Sequence, residues 1–185
     1  MLLPRFEAFL DDWQIVHLTG SNNLDEVRPR YGLAKIAHRV VGYYEHMADL
    51  YASSDLVIGR SGGVSVAEYA ASGVPCICMP YPHHRDRHQY LNAGRLVEAG
   101  AAVIVDDVPD RADRSERLWE ALEDLLVHDE RRREMAGACP TPLDAADQIA
   151  KALLYGPSGA RSDADGADRH PGAQPAGAAF SGLGT

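Results

Sequence analysis

Pro75-Cys-Ile-Cys-Met-Pro80 is an apolar run too short for a helix and closed at both ends by proline. A strand with one wet face alternates apolar and polar residues, so a continuous apolar run marks a strand covered on both faces. Four more short runs are near-continuously apolar, at residues 14–18, 39–42, 55–58 and 102–105. Helical segments separate them. Residues 44–53 place Met47, Leu50 and Tyr51 on one face. A helix follows the Gly62-Gly63 turn to about Ser72, and Gly73 falls where a helix C-cap favours positive φ. Residues 86–99 form another helix, with Gly100 after it. Residues 114–127, 129–137 and 143–155 read as further helices, and residues 1–10 as the end of an amphipathic one. Strands alternating with helices predict an α/β fold with a doubly wound, Rossmann-like parallel sheet.

Composition bounds the partners and the domain. The net charge of −9 argues against nucleic acid, whose phosphates need a basic face. No apolar run reaches the length of a membrane span, so a membrane role is expected to be peripheral. The three cysteines Cys76, Cys78 and Cys139 imply no disulfide framework and fit a reducing cytosol; Cys76 and Cys78 alternate along one strand and read as small core side chains. From residue 156 the chain turns to Gly, Ala, Ser, Pro and Asp, which bury too little apolar surface to offset the entropy of ordering. One domain over residues 1–155 and a disordered tail over 156–185 are expected.

The chemistry-bearing residues follow two strands. Ser61-Gly62-Gly63 opens a helix whose free N–H groups suit an anion, and Ser65 and Glu68 lie one turn apart on that helix. A capping box is the plainer reading of the Ser65–Glu68 pair. After the proline-bracketed strand, Tyr81-Pro-His-His-Arg-Asp-Arg-His-Gln-Tyr-Leu-Asn92 carries Gln89 and Asn92 on one helical face, with Asp86 as an N-cap or first-turn residue. Ligands of doubly wound sheets bind beyond the carboxyl ends of strands, where both turns lie. A helix N-terminus for a diphosphate, a carboxylate for ribose hydroxyls and amides for a sugar make a nucleotide-sugar site. His83, His84 and His88 lack the Glu that a zinc-protease helix carries after its first His, and no metal is expected. Neither a P-loop nor a Ser/His/Asp or Cys/His constellation stands out.

Across about residues 13–155, and most specifically over 43–92, the chain resembles the C-terminal, donor-binding half of the MurG family of UDP-GlcNAc transferases. The resemblance rests on the order and spacing of Met47, Asp55, Arg60-Ser-Gly-Gly-Val-Ser-Val-Ala-Glu68, Gly73-Val-Pro75, Pro80 and Asp86-Arg-His-Gln-Tyr-Leu-Asn92. It implies the C-terminal half of a GT-B glycosyltransferase. It also implies that Tyr43 and Tyr44 lie along uracil, that Ser61, Gly62, Gly63, Val64 and Ser65 meet the diphosphate, and that Glu68 holds the ribose. His88, Gln89 and Asn92 would face the GlcNAc and its phosphates, with His88 standing where the family pattern prefers Gln. The implied reaction is metal-independent, inverting transfer of GlcNAc from UDP-GlcNAc to the muramyl C4 hydroxyl of lipid I, which makes lipid II for peptidoglycan. No cofactor is implied. The implied location is cytoplasmic, peripheral on the inner face of the plasma membrane.

The family's acceptor domain and its base find no counterpart in this sequence, nor do the first donor-domain strand and its phosphate loop. No catalytic residue is therefore expected in this chain, which is expected to be an inactive fragment by itself. Loss of a central strand is expected to expose two strand edges. Two other readings fit the same residues: the donor-binding subunit of a split, two-chain UDP-GlcNAc transferase, and a non-catalytic nucleotide-sugar binding module.

Overall fold

Five parallel strands follow from the apolar runs, but in two sheets. In this computed structural model, β1 (Gln14–Leu18) pairs with β2 (Ala37–Val41), and β4 (Cys76–Cys78) lies between β3 (Val57–Gly59) and β5 (Ala102–Ile104). The helices are α1 (Leu24–Val27), α2 (Met47–Ala52), α3 (Gly63–Ser72), α4 (His88–Ala99), α5 (Arg111–Val127) and α6 (Asp129–Gly137). The structure describes residues 2–83, 86–140, 150 and 153–154. Contacts divide the chain into Met1–Leu143 and Asp144–Thr185, and all these elements lie in the first unit. The tail over 156–185 and most of the helix expected over 143–155 fall outside the described residues.

β4 shows why both sheet faces had to be apolar. Ile77 points into a core with Phe6, Ile36, Val105, Trp119, Leu122, Leu125 and Leu126. Cys76 and Cys78 point the other way, among Tyr51, Tyr69, Val74, Ala93 and Leu96. Helices α5 and α6 thus cover one face, and α2, α3 and α4 cover the other. The Cys76 and Cys78 sulfurs lie 3.8 Å apart with both residues fully buried. Their shared hydrogen bond and burial push the Cys76 thiol up, as suits packing rather than reactivity.

Several boundaries differ from the sequence reading. The sheet is divided, because among the described residues β1 pairs only with β2 and β3 only with β4. Strand β2 starts earlier than the run at 39–42, since its ladder with β1 holds Ala37 and the polar His38 in register with Gln14 and Ile15. The N-terminal segment is a 3-10 helix, Leu3–Phe9, with Pro in its first turn. Helix α2 starts at Met47, three residues after Tyr44. Helix α5 starts at Arg111, three residues early, because the Asp110 side chain caps it by accepting from the Asp113 N–H at 2.7 Å. Helix α4 starts at His88 rather than Asp86: Arg87 is left-handed at φ 52°, which ends any helix running back to Asp86. Gly73 and Gly100 cap α3 and α4 at φ 65° and 85°.

Gly59 ends β3 beneath the buried Tyr69, whose hydroxyl donates to the Arg60 carbonyl at 3.2 Å. A Cβ on Gly59 would sit closer to that hydroxyl than real Cβ atoms ever do. Gly59→Ala is therefore expected to break the Tyr69–Arg60 bond and to destabilise the chain by about 1–3 kcal/mol. Urea unfolding checks this, and an unchanged midpoint would mean that Tyr69 moves aside freely.

Candidate functional site

The two glycines that open α3 are not required by the fold. Gly62 is the N-cap at φ −61° and ψ 153°, an ordinary extended conformation. A Cβ on Gly62 would meet the Ser65 hydroxyl at 4.0 Å, and one on Gly63 would meet Asn92 Nδ2 at 3.9 Å, both ordinary contacts. Neither backbone strain nor internal crowding excludes a side chain, so what the glycines preserve is open space over the helix N-terminus. Val64, next along, is 74% exposed. Beneath them Ser61 is fully buried, and its hydroxyl has no hydrogen-bond partner among the described residues.

The capping box is not realised, because Gly62 rather than Ser65 caps α3. Ser65 instead interacts with the Tyr69 hydroxyl. Glu68, half-buried on α3, faces Tyr51 of α2. Burial first, and then the Glu68 charge, push the Tyr51 hydroxyl up. Tyr51 and Tyr69 meet edge-to-face at 5.3 Å and lock α2 onto α3. Tyr43 and Tyr44, exposed by 75% and 40%, lie between β2 and α2.

The second loop folds back to the first. The Asn92 side-chain amide donates to the Ser61 carbonyl at 3.2 Å, across 31 residues of sequence. The Gln89 side-chain carbonyl accepts the Tyr81 N–H at 2.8 Å and pins the start of the loop to the start of α4. Each amide therefore spends one end on the protein, and the other, Nε2 of Gln89 and Oδ1 of Asn92, makes no hydrogen bond among the described residues. Asp86 acts two residues before the helix rather than at its cap, accepting the His88 N–H at 3.1 Å. The exposed His88 ring lies 3.4 Å from the same carboxylate. His84 lies outside the described residues, and among those described no three His, Cys, Asp or Glu side chains gather as metal ligands.

Sequence reasoning passed over Asp107 and Arg114. Asp107 is 9% exposed and accepts from Arg60 at 2.6 Å and from Arg114 at 2.8 Å. Burial pushes its carboxyl up, but the bonds and charges of Arg114 and Arg60 outweigh burial and hold it below its ordinary value.

The family model for the glycosyltransferase family 28 C-terminal domain matches residues 4–152, which include every residue of this site. The chain belongs to that family. Relatives of this family 28 domain are UDP-N-acetylglucosamine–N-acetylmuramyl-(pentapeptide) pyrophosphoryl-undecaprenol N-acetylglucosamine transferases. That of Geobacter metallireducens is 34% identical over 155 residues, covering 83% of this chain and 42% of the relative. That of Burkholderia thailandensis is 38% identical over 163 residues, covering 81% and 42%. The family 28 domain here thus spans well under half the length of these curated relatives. Among solved structures, Acinetobacter baumannii MurG is 26% identical at a TM-score of 0.66, covering 83% of this chain and 47% of that one. Glycosyltransferase VinC, solved with dTDP, shares the fold at 19% identity and a TM-score of 0.53. The α/β, Rossmann-like architecture expected for the C-terminal half of a GT-B enzyme is borne out.

Proposed function

We propose that this chain is the donor-binding part of an inverting transferase that moves GlcNAc from UDP-GlcNAc to the muramyl C4 hydroxyl of lipid I, giving lipid II. The observation that carries the reading is the meeting of two loops at the carboxyl ends of β3 and β4. There an α3 N-terminus kept open by Gly62 and Gly63 lies beside Asn92, and Gln89 ties the second loop to the start of α4. Its N–H groups and partial positive charge suit a diphosphate. The Ser61 hydroxyl, with no hydrogen-bond partner among the described residues, is a second polar group at the same spot. Glu68 would accept from the ribose hydroxyls, Tyr43 and Tyr44 would flank the uracil, and His88, Gln89 and Asn92 would read the sugar.

In the transfer, the acceptor hydroxyl forms a bond to the anomeric carbon as the bond to the β-phosphate oxygen breaks, inverting the centre. Negative charge grows on the departing UDP, where the Val64 and Ser65 N–H groups at the α3 N-terminus stabilise it. The reading assigns no metal or cofactor to this step. The acceptor contacts and the base would come from a separate domain or chain. Family relationship supports attachment to the inner face of the plasma membrane through that part. Among the described residues, no helix is long and apolar enough to cross a membrane.

Amide hydrogen exchange with and without UDP-GlcNAc tests the placement. Protection is expected at residues 61–68 and 88–92. Protection confined to other segments would refute the site.

A further inference from the structure

Arg60 follows β3 and reaches across the ends of its neighbours. Its guanidinium donates to the Met79 and Pro80 carbonyls at 2.9 and 3.3 Å, just past β4, and stacks over the Tyr81 ring at 5.4 Å. Its remaining arm binds Asp107, three residues past β5. Arg114, in the first turn of α5, holds the other Asp107 oxygen. Tyr81 in turn donates its N–H to Gln89, and Asn92, one turn on, donates to Ser61, the neighbour of Arg60. The contacts close a ring: Arg60, Tyr81, Gln89, Asn92, Ser61. Asp107 stands outside that ring and fixes the one member that spans all three strand ends. Arg60 is half-exposed on a long, flexible side chain, so without a fixed carboxylate its guanidinium would lose the geometry that serves two carbonyls and one ring.

We propose that Asp107, braced by Arg114, is a positioning residue that holds Arg60 across the ends of β3 and β4 and thereby sets Gln89 and Asn92 against the α3 N-terminus. It touches no ligand itself. That the held amides serve a nucleotide-sugar donor rests on the function proposed above; that the carboxylate orders the loop does not.

Two readouts on the 185-residue chain separate these claims. The first is hydrogen exchange without ligand, comparing wild type with Asp107→Asn. Exchange over residues 79–92 is expected to quicken about tenfold, the scale of one lost charge-assisted hydrogen bond, while 14–18 and 37–41 stay unchanged. Arg114→Met is expected to give a smaller change in the same residues, and it serves should Asp107→Asn fail to fold. Arg117→Ala, which breaks the exposed Arg117–Asp113 pair, is expected to change nothing there. The second readout is UDP-GlcNAc affinity, expected to fall about tenfold in Asp107→Asn and to recover in part in Asp107→Glu. Unchanged exchange at 79–92, or quickening across the whole chain, would overturn the proposal. Quickened exchange with unchanged affinity would overturn the positioning role. A wild-type chain that binds no UDP-GlcNAc would sink the donor reading, and the exchange result would still decide the loop.

Discussion

Glu68→Ala is expected to weaken UDP-GlcNAc binding about 100-fold, equivalent to roughly 2–3 kcal/mol for lost hydrogen bonds to a charged acceptor. The carboxylate is half-buried one turn into α3, so a ribose there would meet an acceptor already stripped of much of its water. Its only described neighbour of consequence is Tyr51. The aromatic pair of Tyr51 with Tyr69 survives the substitution, so stability is expected to change by under about 1 kcal/mol. Glu68→Gln keeps the shape and one acceptor and is expected to lose about tenfold. Calorimetric titration with UDP-GlcNAc reads both. Equal affinity in wild type and Glu68→Ala would place the ribose elsewhere.

Gly63→Val is expected to fold normally and to lose donor binding by more than about 100-fold, because a branched side chain would fill the space over the α3 N-terminus. Gly63 is the first residue of α3, and its added Cβ would meet only Asn92 Nδ2 at 3.9 Å. The unfolding free energy should therefore stay within about 1 kcal/mol of wild type. Binding that persists in Gly63→Val would mean that the diphosphate does not sit on this helix. Opposite effects on folding and binding set Gly63 apart from Gly59, where the fold itself excludes a Cβ.

What could be read from the sequence depended on how local its cause was. Strand β1 was legible residue for residue, as were the C-caps at Gly73 and Gly100, because apolar runs and glycine caps act over a few positions. Strand β2 was legible only from Arg39 on: Ala37 and the polar His38 belong to a ladder that backbone pairing with β1 decides. Asp86 was misplaced as a helix start because nothing in its neighbours shows that Arg87 turns left-handed. The site divides along the same line. Ser61 to Glu68 form a continuous motif and declare themselves. The bonds from Asn92 to Ser61 and from Asp107 to Arg60 span 31 and 47 residues and exist only once three strand ends lie side by side. An acidic Asp106-Asp107 pair after an apolar strand is the one faint signal in the sequence.

Titration of the purified 185-residue chain with UDP-GlcNAc, with UDP-glucose as the control, tests the central claim most directly. Saturable binding of one UDP-GlcNAc per chain is expected, tighter than that of UDP-glucose. A chain that melts cooperatively yet takes up neither nucleotide sugar would contradict it.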